Sequence, residues 1–458
     1  MTSASDIDTD GALRELAAEA VIYAYPLYEM SRMRAGTSPR VCEAGHAGRD
    51  DPSSPLRWCN VFVHARKLLA PGKSRVVTPN NDTLYSNAWL DLDDEPLVID
   101  VPDTAGRYYV LGLLDFYTNP FASLGQRTTG TRARSFIITG PNWRGPLPEA
   151  FRELGAHVAS PTRWVWIIGR ILVDGAADVA AVHAVQDGLR LRTLSTWDAG
   201  GNHATPKRFE PACNPQAAPD ADSFAEVVGR ALCDNPPPDG EQAAVARFRA
   251  VGIAAEAAPL GARQRTALGQ AIDAVSSELR STSIGPAVDG WQTMPLLGSS
   301  FGTAYRQRAA VAMKYIGALE SREASYPMAY EDSLGRRLSG LHAYRLRFTP
   351  GALPPVQAFW SLTMYGSHDY MLVDNPIGRY AIGDRSVGLQ PDPDGGLTIH
   401  IQHECPRAAA AQANWLPAPR DGFYLCLRAY MPREEFLDGR YRLPPLVRAD
   451  AQSDEEIT

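Results

Sequence analysis

The polar residues that could do chemistry cluster in a few places. Asn80-Asn81-Asp82-Thr83 stands just before an apolar run that opens with Leu84-Tyr85. Two amides and a carboxylate at a strand entrance can orient a small polar ligand, with Tyr85 as a further orienting group and Asp82 as an acid or base. The same residues also suit an Asx turn after Pro79, in which they satisfy their own backbone. Arg379, Arg385 and Arg428 carry guanidinium forks suited to a carboxylate or phosphate. The alternative there is an internal pairing that closes loops, with Asp384 as the partner. Asp384 is otherwise a candidate base. His400 is the second, since an imidazole titrates near pH ~6.5; it could equally be a hydrogen-bonded sheet histidine. Gln402 shares its strand face. Tyr117, with Asn119 and Arg127, follows a buried strand and could face a pocket shared with helices. Tyr85 and Trp89 share one strand face and could stack a ring or sugar, although such aromatics are more often core.

Other chemistries lack their signatures. His403 faces away from His400, so no His-x-His pair offers a metal site on that strand. Asp392-Pro393-Asp394-Gly395-Gly396 lacks the later ligands of a calcium loop and suits a hairpin turn. There is no GxxxxGK[ST], GxGxxG or HExxH motif. These absences favour a protein without a metal or nucleotide cofactor. The net charge is −7, which provides no basic field for a nucleic acid. No apolar run is long enough to span a bilayer. The first ten residues are polar and acidic, unlike a secretory signal. Six scattered cysteines without close pairing predict reduced thiols and a cytoplasmic setting.

The chain that must position these groups is 458 residues long, enough for two or three domains. Apolar residues recurring at three- and four-residue spacing predict a helix over 11–34, which Pro26 should kink or end. Residues 37–57 read as loop. From about 74 to 172 the period changes to two. Strands are expected at 84–92, 97–101, 107–116, 134–139 and 163–172, in a sandwich or barrel. Ala-rich segments near 177–193, 222–233, 241–256, 261–280 and 302–323 fit amphipathic helices, and 198–220 reads as a long surface loop. The two-residue period returns at 341–348, 357–365, 379–383, 397–404 and 423–430. The predicted divisions are an N-terminal helix and loop (1–72), a β domain (73–175), a helical linking region (176–340), a second β domain (341–448) and an acidic tail (449–458).

Three motif groups combine in one chain: Thr78-Pro79-Asn80-Asn81-Asp82-Thr83-Leu84-Tyr85; Phe359-Trp360-Ser361-Leu362-Thr363-Met364-Tyr365 with Asp374-Asn375-Pro376-Ile377-Gly378-Arg379; and Ile399-His400-Ile401-Gln402-His403 with Ala413-Asn414-Trp415-Leu416-Pro417 and Leu427-Arg428-Ala429-Tyr430. Together they resemble the paired DUF1254 and DUF1214 domains, over most of the chain. The resemblance implies an α+β protein with two jelly-roll-like β-sandwich domains joined by helices, often assembled as a homo-oligomer. It implies no reaction. This chain departs from the family pattern at Gly366, where an acidic residue usually follows the tyrosine. The residues themselves point to a cofactor-independent hydrolase or lyase acting on a small polar or carboxylated molecule. His400, Asp384 or Asp82 would supply acid–base chemistry. Arg379, Arg385 and Arg428 would clamp an anion, and Asn80, Asn81, Tyr85, Tyr117 and Gln402 would orient it. The competing expectation is a carbohydrate- or small-molecule-binding or assembly protein, floored by exposed aromatics such as Trp89 or Trp415. In both cases the partner is a small molecule, not a nucleic acid or a membrane.

Overall fold

The computed structural model describes residues 4–42, 54–72, 78–214, 218–256, 258–283 and 285–449. The protein is α+β, with several sheets and no closed barrel among the described residues. In the N-terminal half, a five-stranded sheet runs in the order β2 (Val63–His64), β3 (Thr83–Asp91), β9 (Trp164–Leu172), β5 (Tyr109–Leu114) and β6 (Ala122–Gly125). A four-stranded sheet runs β10 (Arg190–Thr193), β4 (Leu97–Val101), β7 (Arg134–Thr139) and β8 (His157–Ala159). Strand alternation sends Leu84, Ala88 and Leu90 of β3 and Val165, Ile167 and Ile171 of β9 into one core shared with Ile99 and Ile137 of the second sheet. A two-stranded ribbon, β1 (Arg57–Cys59) with β11 (Lys207–Phe209), lies outside these sheets.

The C-terminal half repeats the two-sheet plan. One sheet is seven-stranded. It contains β12 (Ala287–Val288), β13 (Trp291–Gln292), β15 (Met328–Ala329), β21 (Phe423–Pro432), β17 (Val356–Gly366) and β18 (Ala381–Gly383), with β14 (Ala324–Ser325) also paired to β21. The other runs β20 (Trp415–Pro417), β19 (Leu397–Gln402), β16 (Ala343–Phe348) and β22 (Val447–Ala449). Trp360, Leu362 and Met364 meet Leu346, Ile399 and Ile401 between them. β19 and β20 pair in parallel, as do β7 and β8.

The helices depart from expectation in instructive ways. α1 (Ala4–Thr37) continues through Pro26 rather than ending there. Residues 23–31 are buried throughout, because α2 (Ala221–Asp234), α3 (Ala262–Ser281) and α4 (Tyr305–Lys314) surround the helix. Packing on every side outweighs the single backbone hydrogen bond that proline removes. The segment 241–256 forms only a short helix, Gln242–Arg247, and a 3-10 turn closed by Gly252 at φ 86°. The expected helix over 302–323 stops at Lys314, before the positive φ of Gly317. The one over 177–193 is divided into a helix, Val179–Gly188, and β10. Two further expectations fall largely outside the described residues. They are the acidic tail, apart from Ala449 in β22, and much of the loop at 37–57.

After β5, Asp115 closes the connection to β6. Its carboxylate accepts the Tyr117 N–H at 2.8 Å and the Asn119 N–H at 2.9 Å. The Asn119 side chain donates to it at 2.8 Å and accepts the Phe301 N–H at 2.9 Å, tying this turn to the helical region. Asp115 is 3% exposed, and burial pushes its pKa up to about 6, against these hydrogen bonds. A carboxyl raised in the folded state favours folding while it is protonated and opposes it once charged. As pH rises from 4 to 7, the wild type should therefore lose roughly 2–3 kcal/mol of stability relative to Asp115→Asn. Paired denaturant titrations across that range would refute this if the difference stayed flat.

Candidate functional site

The seven-stranded sheet has an unusual second face. While Trp360, Leu362, Leu425 and Leu427 enter the core, the alternate residues Ser361, Thr363 and Tyr365 of β17 and Tyr424, Cys426, Arg428 and Tyr430 of β21 turn outward. The register sets Ser361 opposite Arg428, Thr363 opposite Cys426 and Tyr365 opposite Tyr424. All seven are buried nonetheless, because the segment Thr78–Tyr85 of the N-terminal half lies across them.

The contacts are specific. Ser361 Oγ donates to Asp82 Oδ2 at 2.5 Å, and Asn80 Nδ2 donates to Tyr430 Oη at 2.6 Å. Tyr365 Oη donates to the Pro79 carbonyl at 2.7 Å. Arg428 donates to Thr363 Oγ1 at 2.9 Å and to the Thr78 carbonyl at 3.0 Å. Thr78 Oγ1 and Tyr424 Oη are 2.7 Å apart. The Asx turn is present as well, since Asn80 Oδ1 accepts the Asp82 N–H at 2.6 Å. One short segment thus makes its own turn and binds the other domain.

Beside this seam lies a less satisfied group. Arg170 on β9 is directly cross-strand from Tyr85 on β3, and its guanidinium stands 5.3 Å from the Tyr85 ring centroid. Arg170 is 6% exposed. Nη2 donates to the Gly317 carbonyl at 3.1 Å, but Nη1 is buried without a partner. Tyr326, between β14 and β15, has a buried hydroxyl that is also without a partner. Three more orphaned atoms share this β3–β9 face: Thr83 Oγ1, Asn87 Oδ1 and Trp166 Nε1. Arg170 makes no ion pair with a described carboxylate. The nearby Glu323, fully buried, is already occupied by Tyr108 Oη at 2.8 Å and Arg127 Nε at 2.6 Å. Burial raises the pKa of Tyr326 and holds Tyr108 and Tyr430 well above the usual phenol range. These hydroxyls therefore remain protonated donors at neutral pH.

The candidate residues named from the sequence do not all meet. Asn80, Asp82 and Arg428 lie in the seam. Tyr85 adjoins it beside Arg170, and Asn81 adjoins it with its Oδ1 buried and without a partner. Arg385 reaches across to the N-terminal half. Its partner is Asp174 at 2.7 Å and the Val173 carbonyl at 3.2 Å, not the expected Asp384. Asp384 instead accepts the Trp360 N–H at 3.3 Å. His400 and Gln402 lie on β19, whose Ile399 and Ile401 face the core, so both point away from it on the opposite sheet. Gln402 donates to the Glu404 carbonyl at 2.7 Å. Arg379 is spent on the carbonyls of Ala413 and Trp415 at 2.9 and 2.8 Å. Tyr117 donates to the Asn235 carbonyl at 3.0 Å within the helical region. Trp89 and Trp415 are buried, so neither floors an open groove. Trp89 stacks on Trp166 with centroids 5.4 Å apart. Arg170, Tyr326, Tyr108 and Glu323 escaped sequence reasoning. Arg170 did leave a signal, as a lone charge inside the apolar run Trp164–Leu172.

Family comparison now places the seam. Residues 59–193 match DUF1254 and residues 323–434 match DUF1214, each described as a protein of unknown function. The chain belongs to this two-domain family. The seam is the junction of the two matches: Asp82, Tyr85 and Arg170 come from the first, and Tyr326, Ser361, Arg428 and Tyr430 from the second. Among solved structures, the VPA0106 protein of Vibrio parahaemolyticus is 26% identical and superposes with a TM-score of 0.70 over 96% of this chain and 100% of its own. An uncharacterised protein of Burkholderia cenocepacia is 14% identical with a TM-score of 0.40, over 97% of this chain and 94% of its own, a likeness too low to add to this. No curated protein matches.

The Asp82–Ser361 bond should couple the domains. Ser361→Ala strands a buried carboxylate oxygen and should cost roughly 1–3 kcal/mol. In a double-mutant cycle with Asp82→Asn the two losses should be less than additive. Full additivity in chemical denaturation would mean that the contact carries no coupling.

Proposed function

We propose that the protein binds a small carboxylate-bearing organic molecule at the junction of its two β domains. The observation that carries this is the pair of unpartnered buried donors, Arg170 Nη1 from one domain and Tyr326 Oη from the other. A guanidinium at 6% exposure with one nitrogen unpartnered carries a desolvation cost, and a carboxylate held by it and by a neutral phenol would offset that cost. Tyr85 and Tyr326 are each partly exposed, which supports a route from solvent.

Of the two functions raised by the sequence, the geometry favours binding over hydrolase or lyase chemistry. His400 stands on the far sheet, and Asp82 is committed to Ser361. The reading also carries a jelly-roll-like plan for each β domain, supported by two sheets around each core. A cytoplasmic setting, supported by six cysteines scattered without close pairing along the sequence, and a homo-oligomer, supported by the family resemblance, belong to the same proposal. No helix among the described residues is long and apolar enough to cross a membrane.

A thermal-shift and calorimetric panel of small mono- and dicarboxylates tests it. At least one should raise the melting temperature of the wild type. Tyr326→Phe should leave the ligand-free melting temperature near wild type, because its hydroxyl has no protein partner. It should also weaken binding about tenfold, the loss of one hydrogen bond to a charged group. A panel without a binder, or unchanged affinity in Tyr326→Phe, would overturn the proposal.

A further inference from the structure

Asp384 is not used by the seam, yet it lines a cavity of about 250 Å³ at one end of the C-terminal domain. The walls are Leu353, Trp360, Leu389, Pro391 and Leu397. Gly351, Gly395 and Gly396 complete the lining, and Thr349 is the only other polar side chain on it. No lysine, arginine or histidine is among the lining residues. The Asp384 carboxylate makes no ion pair. Its neighbour in sequence, Arg385, is engaged by Asp174 and held over the Phe359 ring at 4.3 Å. The Trp360 N–H, at 3.3 Å, is a long hydrogen bond and leaves the carboxylate's remaining acceptor capacity open.

We propose that this cavity is a second binding site, for a small primary ammonium bearing a short apolar substituent. A carboxylate at an apolar wall whose lining holds no basic residue selects a cation and rejects an anion. The volume suits a butyl- or phenyl-sized group, and the leucines and Trp360 supply the apolar contact. The ligand chemistry is opposite in sign to that of the seam.

The charges around Asp384 make its protonation state informative. Asp82 lies toward the seam, and Arg385 faces Asp174. Asp392 and Asp394 stand beside Gly396, and both are paired with Arg347. Asp384 is exposed as a residue yet lines the cavity, and partial desolvation there pushes its pKa up to about 6. An ammonium should therefore bind at pH 8 and be released as pH falls through 6.

The test uses the full-length protein with butylamine and benzylamine, and with butanol and benzyl alcohol as neutral isosteres. Binding is followed by calorimetry and ligand-observed NMR. Both amines should bind at pH 8, at least about tenfold more tightly than the alcohols, and lose that advantage at pH 5. Asp384→Asn can still accept the Trp360 N–H, so it should fold normally and abolish the preference for amines. Leu389→Trp should block amines and alcohols alike by filling the cavity. Equal binding of amines and alcohols, absence of amine binding, or an undiminished preference in Asp384→Asn would each overturn the proposal. None of these outcomes bears on Arg170 and Tyr326.

Discussion

Thr78–Tyr85 lies across the outer face of the seven-stranded sheet, and the relation between the two halves rests on that contact. A sheet face bearing Ser361, Thr363, Arg428 and Tyr430 would ordinarily face water. Here it is buried, so each polar group must find a partner, in its own sheet or in the other domain, or carry the cost of desolvation. The partners come from one segment, as the carboxylate of Asp82, the amide of Asn80 and the carbonyls of Thr78 and Pro79. Such an interface is demanding, because losing one partner strands the other. It is also selective, since an apolar surface would tolerate many dockings and this one tolerates few.

Satisfaction is uneven across the junction. Glu323 is matched by Tyr108 and Arg127, and Asp82 by Ser361. Arg170 and Tyr326, one from each domain, are left with free hydrogen-bonding capacity. Buried polar atoms are paired in the large majority of cases, so an unpaired guanidinium nitrogen and an unpaired phenol, one from each domain, are informative together. The junction residues fall within both family matches, and neither match alone contains the set. A ligand held there would touch both domains and would stabilise their apposition. The Asp384 cavity differs in kind. It lies within one domain, has apolar walls and presents a single carboxylate.

Much was legible along the chain. The two-residue alternation of Leu397, Ile399 and Ile401 identified β19 and its core face, and strands 97–101 and 134–139 fall where the pattern put them. The turn at Asn80–Asp82 was legible from residue type alone, and so was the family, from motifs whose residues later proved to form the seam. Other features were not. Pro26 is expected to kink or end the first helix, and packing on every side carries α1 through it. The alanine-rich stretch to residue 323 looked helical throughout, yet Gly317 turns the chain and gives its carbonyl to Arg170. Arg385 and Asp384 are neighbours in sequence but are spent on different partners.

The difference follows from the range of the forces involved. Strand period, turn chemistry, charge and the absence of cofactor motifs depend on residues within a few positions of one another, so the sequence by itself determined two β regions with helices between them. Which polar residues meet depends on contacts such as Asp82 with Ser361, 279 positions apart, and on which face of each strand the second sheet covers. His400 and Ser361 both sit in alternating strands with polar and apolar residues interleaved. Only the tertiary structure decided that one faces away from the core on the outer sheet while the other is sealed beneath the N-terminal half. Desolvation, and hence the significance of Arg170, exists only once that packing is complete.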